Sequence, residues 1–124
     1  MNAAASFSQD EIQLAHELKA NSLPWNPQPG HYVWDGEPLI RHESPFHDRV
    51  FFILDLKHFL RRSETIERLV ESMVWLPTWE QCRVELANRS VPVEEVSAHL
   101  RATDALANQT ERRELYVLLL RTLS

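Results

Sequence analysis

The spacing of apolar positions along this chain changes several times, and each change marks the start of a different predicted element. Ile12, Ala15 and Leu18 recur at helical intervals behind Ser8, and Glu11 stands at the N3 position of a capping box. That spacing predicts a helix over 9–20, closed by Asn21 and Pro24. The following segment, SLPWNPQPG, has no period at all. Its prolines fix φ and remove donors, so it reads as an extended connector anchored by Trp25. A proline-rich recognition segment would bring repetition or flanking basic residues, and neither is present.

HYVW-DG-EPLIRH alternates in steps of two about Asp35-Gly36. Asp-Gly suits a type I′ turn, which needs two left-handed residues. This predicts a hairpin over 31–42 with Tyr32 opposite Leu39. His31, Val33, Ile40 and His42 then share one face, and Tyr32, Trp34, Leu39 and Arg41 the other. Pro38 confines its strand to an edge or a non-donating position. The unbroken run RVFFIL predicts a central strand over 49–54, covered on both faces.

Leu56, Phe59 and Leu60 keep helical phase with Ile66, Val70 and Met73, so 55–73 is one long helix or two. The polar RRSET stretch favours a break near Ser63. Val74–Leu76 predicts a short strand ended by Pro77. Thr78 and Gln81 form a second capping box, ahead of a helix over 79–89 that buries Trp79, Cys82 and Leu86. Pro92 with Glu94 and Glu95 opens another helix, striped by Val93, Val96 and Leu100. Thr110 and Glu111 open the last, with Leu115, Leu118, Leu119 and Leu123 facing the core. The sum is an α+β protein: a small sheet containing antiparallel strands, packed with about five helices mainly in the C-terminal half. A chain of 124 residues predicts a single domain, here with residues 1–7 frayed.

Charge and composition narrow the function. The net charge of −5 divides into −2 and −3 between the halves, with no basic cluster. Phosphate neutralisation is therefore disfavoured, and nucleic acid with it. The N-terminus lacks the basic and apolar regions of a signal peptide, and no uncharged apolar run reaches about 18 residues. With a lone Cys82 and no internal disulfide, the expectation is a soluble cytoplasmic protein without a membrane partner.

VWLPTWEQ places a short apolar strand, Pro-Thr and a capped amphipathic helix in succession, and TERRELYVLLLRTL is a Thr-Glu-opened, leucine-rich helix. Together they resemble a pattern found in small uncharacterised bacterial and phage proteins. These motifs are caps and stripes, so the resemblance implies no activity, cofactor or catalytic residue.

Polar chemistry is concentrated between Trp25 and His58, which holds both glycines, four of the six histidines and two of the four tryptophans. His31 and His42 would be diagonal neighbours on the hairpin, and His47 with Asp48 or His58 could complete a zinc site. Against that, no HExxH, HxH or HxxxH spacing occurs. Asp48 and Asp55 flank the apolar strand, where an acid serves either catalysis or the mundane work of capping and pairing with Arg49 or Lys57. Cys82 falls on the buried side of its helix, where thiols are inert. Two glycines cannot build a phosphate cradle. Lys57, Arg61 and Arg62 read as a solvated helix face.

Trp25, Tyr32, Trp34, Phe46, Trp75 and Trp79 exceed what a minimal core needs, and Trp and Tyr anchor interfaces. Trp25, Tyr32 and Trp34 are the interface candidates. Trp34 at the hairpin tip leads, unless the connector folds over and buries it against Trp25. The leading expectation is a non-enzymatic module that binds another protein or itself, with no cofactor. The competing class is a metal-assisted hydrolase using His31, His42, His47 and Asp48. The third is a nucleic-acid-associated accessory protein.

Overall fold

The computed structural model describes residues 6–40, 44, 46, 48–63 and 65–123. Seven helices and three strands occur among them: α1 (Gln9–Ala20), β1 (Tyr32–Asp35), β2 (Val50–Phe52), α2 (Leu56–Ser63), α3 (Ile66–Ser72), β3 (Met73–Leu76), α4 (Trp79–Asn88), α5 (Val93–Ala102), α6 (Ala105–Asn108) and α7 (Glu111–Thr122). The protein is α+β, with one antiparallel sheet of order β2-β1-β3. Its backbone gathers into two compact units. One comprises Met1–Ser8 and Pro24–Leu76, the other Gln9–Leu23 and Pro77–Ser124.

The first unit carries the sheet. Val33 lies opposite Phe51 on one side and Trp75 on the other, while Tyr32 lies opposite Phe52 and Leu76. Strand alternation puts Val33, Phe51 and Trp75 on a single face. A cluster of Val33, Ile40, Phe51, Ile53, Phe59, Leu69 and Met73 forms the core here, with Trp25, Leu39 and Leu56 packed against it. On the opposite face the Tyr32 ring meets Phe7, Phe46 and Phe52 at centroid distances of 5.4, 5.5 and 4.8 Å.

The expected hairpin is corrected in partner and register. Residues 36–40 are not strand, and Arg41 and His42 lie outside the described residues. Tyr32 pairs with Phe52 and Leu76 instead of Leu39. Both edges of β1 are already occupied, so β1 is the central strand, and RVFFIL contributes the shorter edge strand β2. Asp35-Gly36 opens a latched loop rather than a type I′ turn. The fully buried Asp35 carboxylate accepts from the amides of Leu39 (3.2 Å) and Ile40 (2.7 Å). It also pairs with Arg49 Nη2 at 3.1 Å, and that same guanidinium donates to the Ile40 carbonyl.

Gly36 is not left-handed; its lack of a side chain makes room for Trp34. A Cβ at position 36 would stand 2.2 Å from the Trp34 ring. The break near Ser63 is present. Thr65 caps α3 by accepting from the Arg68 amide at 3.1 Å.

The second unit is all helix. α1 and α4 both pack on α7, and α5 and α6 adjoin it. Ile12, Ala15, Leu18, Cys82, Leu86, Val96, Leu115, Leu118 and Leu119 are buried, as their spacing predicts. Tyr116 is fully buried as well, donating from its hydroxyl to the Pro77 carbonyl at 2.6 Å. The second capping box forms in full between Thr78 and Gln81.

Trp79 departs from expectation, remaining 43% exposed. It is the first residue of α4, and side chains tilt toward a helix N-terminus, so its indole projects past the helix end. The Arg83 guanidinium covers one face of that indole, 5.2 Å from the centroid. Val93, first residue of α5, is 63% exposed for the same reason.

Candidate functional site

The aromatic candidates are already engaged within the sheet-bearing unit. Trp25 donates from Nε1 to His31 Nδ1 at 3.0 Å and packs on the core, so the connector is pinned as expected. His31 stacks on Trp75 with centroids 5.0 Å apart and planes 25° from parallel. Accepting at Nδ1 makes His31 a neutral ring protonated on Nε2, and burial lowers its pKa. Trp75 Nε1 is buried with no hydrogen-bond partner among the described residues. Tyr32 is half-buried at the centre of its ring cluster, and Trp34 is half-buried against Gly36.

The candidate metal ligands do not converge where they can be seen. Among the described residues, no group of three His, Cys, Asp or Glu could hold a metal ion. His31 already spends Nδ1 on Trp25. Asp48 lies in the left-handed turn ahead of β2 (φ 44°), and His58 is exposed on α2. His42 and His47 lie outside the described residues. Asp55 takes the capping role, accepting from the Lys57 amide at 3.0 Å.

Charged groups inside the helical unit serve packing. Glu11, on the buried face of α1, forms a paired ion bridge with Arg112 of α7. Glu114 binds His99 Nε2 at 2.9 Å and Arg113 Nη2 at 2.8 Å. Burial works to raise the Glu114 pKa, but the Arg113 and His99 hydrogen bonds outweigh it and hold the carboxylate below its usual range. Cys82 is buried, and desolvation pushes its thiol well up, so no thiolate is available for nucleophilic chemistry.

A further candidate site lies elsewhere in that unit. Trp79, Leu100, Leu106 and Ala107 line an apolar cleft of about 550 Å³, completed by Ser97, Arg101, Asp104 and Glu111. Leu106 is 80% exposed, more than any other large apolar side chain among the described residues. It is carried by α6, a single turn held between two left-handed residues, Asp104 (φ 51°) and Gln109 (φ 57°). Ala105 is fully buried beneath it. The turn is tied at both ends: the Asn108 amide donates to Asp104 at 3.0 Å, and the Thr110 amide to Ala105 at 2.9 Å.

No protein family, curated protein or solved structure matches this chain.

Sequence periodicity could not find the cleft. Helical phase places Trp79 in the core, and Leu106 directly precedes the ANQT break, outside any legible stripe. The available signal is a leucine set between Thr103-Asp104 and Asn108-Gln109. No helix among the described residues is long and apolar enough to cross a membrane.

Proposed function

We propose that this chain is a non-enzymatic interaction module whose contact surface is the apolar cleft of Trp79, Leu100 and Leu106. The observation that carries this reading is Leu106 itself, a large side chain held out to solvent by a strained turn beside an open apolar hollow. Left-handed non-glycine backbone costs about 1 kcal/mol per residue, and at Asp104 and Gln109 it closes α5 and α6 so that the turn between them holds Leu106 outward. Exposed apolar area beside an aromatic anchor favours association through loss of hydrating water. The rim supplies orientation, since Arg101, Asp104 and Glu111 form no ion pair among the described residues. An enzymatic reading draws no comparable support, because the buried thiol and paired carboxylates are committed to packing.

Affinity purification of the tagged protein beside its Leu106→Asp and Trp79→Ala variants tests this. Both variants should keep the wild-type melting curve and lose association by roughly 2 kcal/mol or more, the usual size of a hot-spot effect. Variants that fold and retain every association of the wild type would contradict the proposal.

A further inference from the structure

We propose that the Trp25–His31 hydrogen bond is a proton-operated catch, independent of the cleft: a proton on His31 Nδ1 frees the proline strap 24–29 while the sheet beside it stays folded. An indole N–H can only donate, so the bond exists only while Nδ1 is bare. The imidazolium carries a proton on both nitrogens and sets one N–H against the other. Little else fastens the strap. Three of its six residues are prolines, and no amide N–H of 24–29 donates in a backbone hydrogen bond among the described residues. Its far end is tied to the sheet-bearing unit, with Gly30 donating to the Ile53 carbonyl at 2.8 Å and Ile53 donating back to His31 at 2.9 Å.

His31 is held from its other side. Its ring stacks on Trp75, which is buried in β3, with centroids 5.0 Å apart. The face of an indole holds a positive ring more strongly than a neutral one, so the proton loosens Trp25 and leaves His31 in place. Other titratable groups stand apart from it. The strap, β2 and β3 contain none. On β1, Tyr32 lies on the opposite face, and Asp35 pairs with Arg49. At neutral pH the packing of Trp25 on the core keeps the catch shut. Burial alone lowers the His31 pKa, and release returns the ring to water and toward the ordinary 6.5. The ratio of released to pinned strap should therefore rise up to about tenfold per pH unit, as pH falls from the ordinary value to the lowered one.

NMR of the full chain from about pH 8 to pH 5 reads both sides of the catch. The Trp25 Nε1–H resonance should move with the same midpoint as the His31 ring. Overhauser contacts between those two rings should vanish, while those between His31 and Trp75 persist and the Val33 and Trp75 amides keep their folded positions. The catch is overturned if Trp25 keeps its contacts throughout the His31 titration, if His31 leaves Trp75 instead, or if the sheet resonances disappear at the same midpoint. Two variants test the cause. Trp25→Phe keeps an apolar ring that donates nothing, so the His31 midpoint should rise toward 6.5. An unmoved midpoint would show that Trp25 does not hold the neutral ring. His31→Gln offers Trp25 an amide oxygen that does not titrate, so the strap should stay pinned across the same range. Release at the same pH in that variant assigns the response to another group and ends the proposal.

Discussion

Replacing Asp35 with alanine removes the acceptor of the Leu39 and Ile40 amides and the counter-ion of Arg49 together. One buried donor, at Ile40, and one partly buried donor, at Leu39, lose their partner, while Arg49, about one-third exposed, can still reach water. The expected cost is about 3 kcal/mol, measured by urea unfolding. A loss below about 1 kcal/mol would show that the loop does not depend on the latch. Gly36→Val should also cost more than about 1 kcal/mol, through overlap with the Trp34 ring rather than through φ. A shift in Trp34 emission should accompany it, and unchanged emission and stability would contradict the packing described. His31 gives stability a pH dependence. Burial lowers its folded pKa below the ordinary 6.5, so the unfolded chain binds the proton more readily. Its contribution is complete above that value and is lost as pH falls through the lowered folded value. His16, lowered by burial and by Lys19, acts in the same direction. Melting temperature should therefore fall between about pH 7 and pH 5, before Glu114 loses its charge, and less steeply in His31→Gln. An equal slope in that variant would remove His31 from the account.

Helix starts were legible in the sequence because caps are local chemistry. The Thr78–Gln81 box, and the onsets of α1, α5 and α7, fall where Ser, Thr, Pro and acidic residues place them. Strand pairing was not legible in the same way. Asp-Gly favours a tight turn only while the strand before it has a vacant edge, and β1 is taken on both sides by strands distant in sequence. Helix ends show the effect of glycine scarcity. Ser22, Ser90, Asp104 and Gln109 adopt left-handed φ beside helix C-termini, where glycine is the usual residue. At the end of α4, Ser90 donates to Ala87 at 3.0 Å and Val91 to Leu86 at 3.0 Å, closing the helix on that left-handed residue. Ser90→Gly should relieve the strain and stabilise by about 0.5–1 kcal/mol, offset in part by greater freedom of the unfolded chain. A destabilised Ser90→Gly in thermal unfolding would mean the serine side chain contributes more than the backbone strain costs.

The helical unit is assembled from both ends of the sequence, and its buried ion pair joins residues 101 positions apart. Glu11 reads in the sequence as a capping-box acid, and its ion pair with Arg112 is not legible there, because nothing in a local pattern encodes so distant a contact. The cleft was hidden for a related reason. Its lining comes from the first residue of α4, the C-terminal end of α5 with Leu100, the single turn α6 and Glu111 at the start of α7, places that no single stripe joins. On the proposed reading, association occurs at this cleft rather than on the aromatic strand of the first unit. Backbone and indole NMR shifts, followed as concentration or partner is raised, test it most directly. The account predicts changes centred on the Trp79 indole, Arg101, Leu106 and Ala107, with Tyr32 and Trp34 unmoved. Shifts centred on Trp25, Tyr32 and Trp34, with the cleft silent, would contradict it.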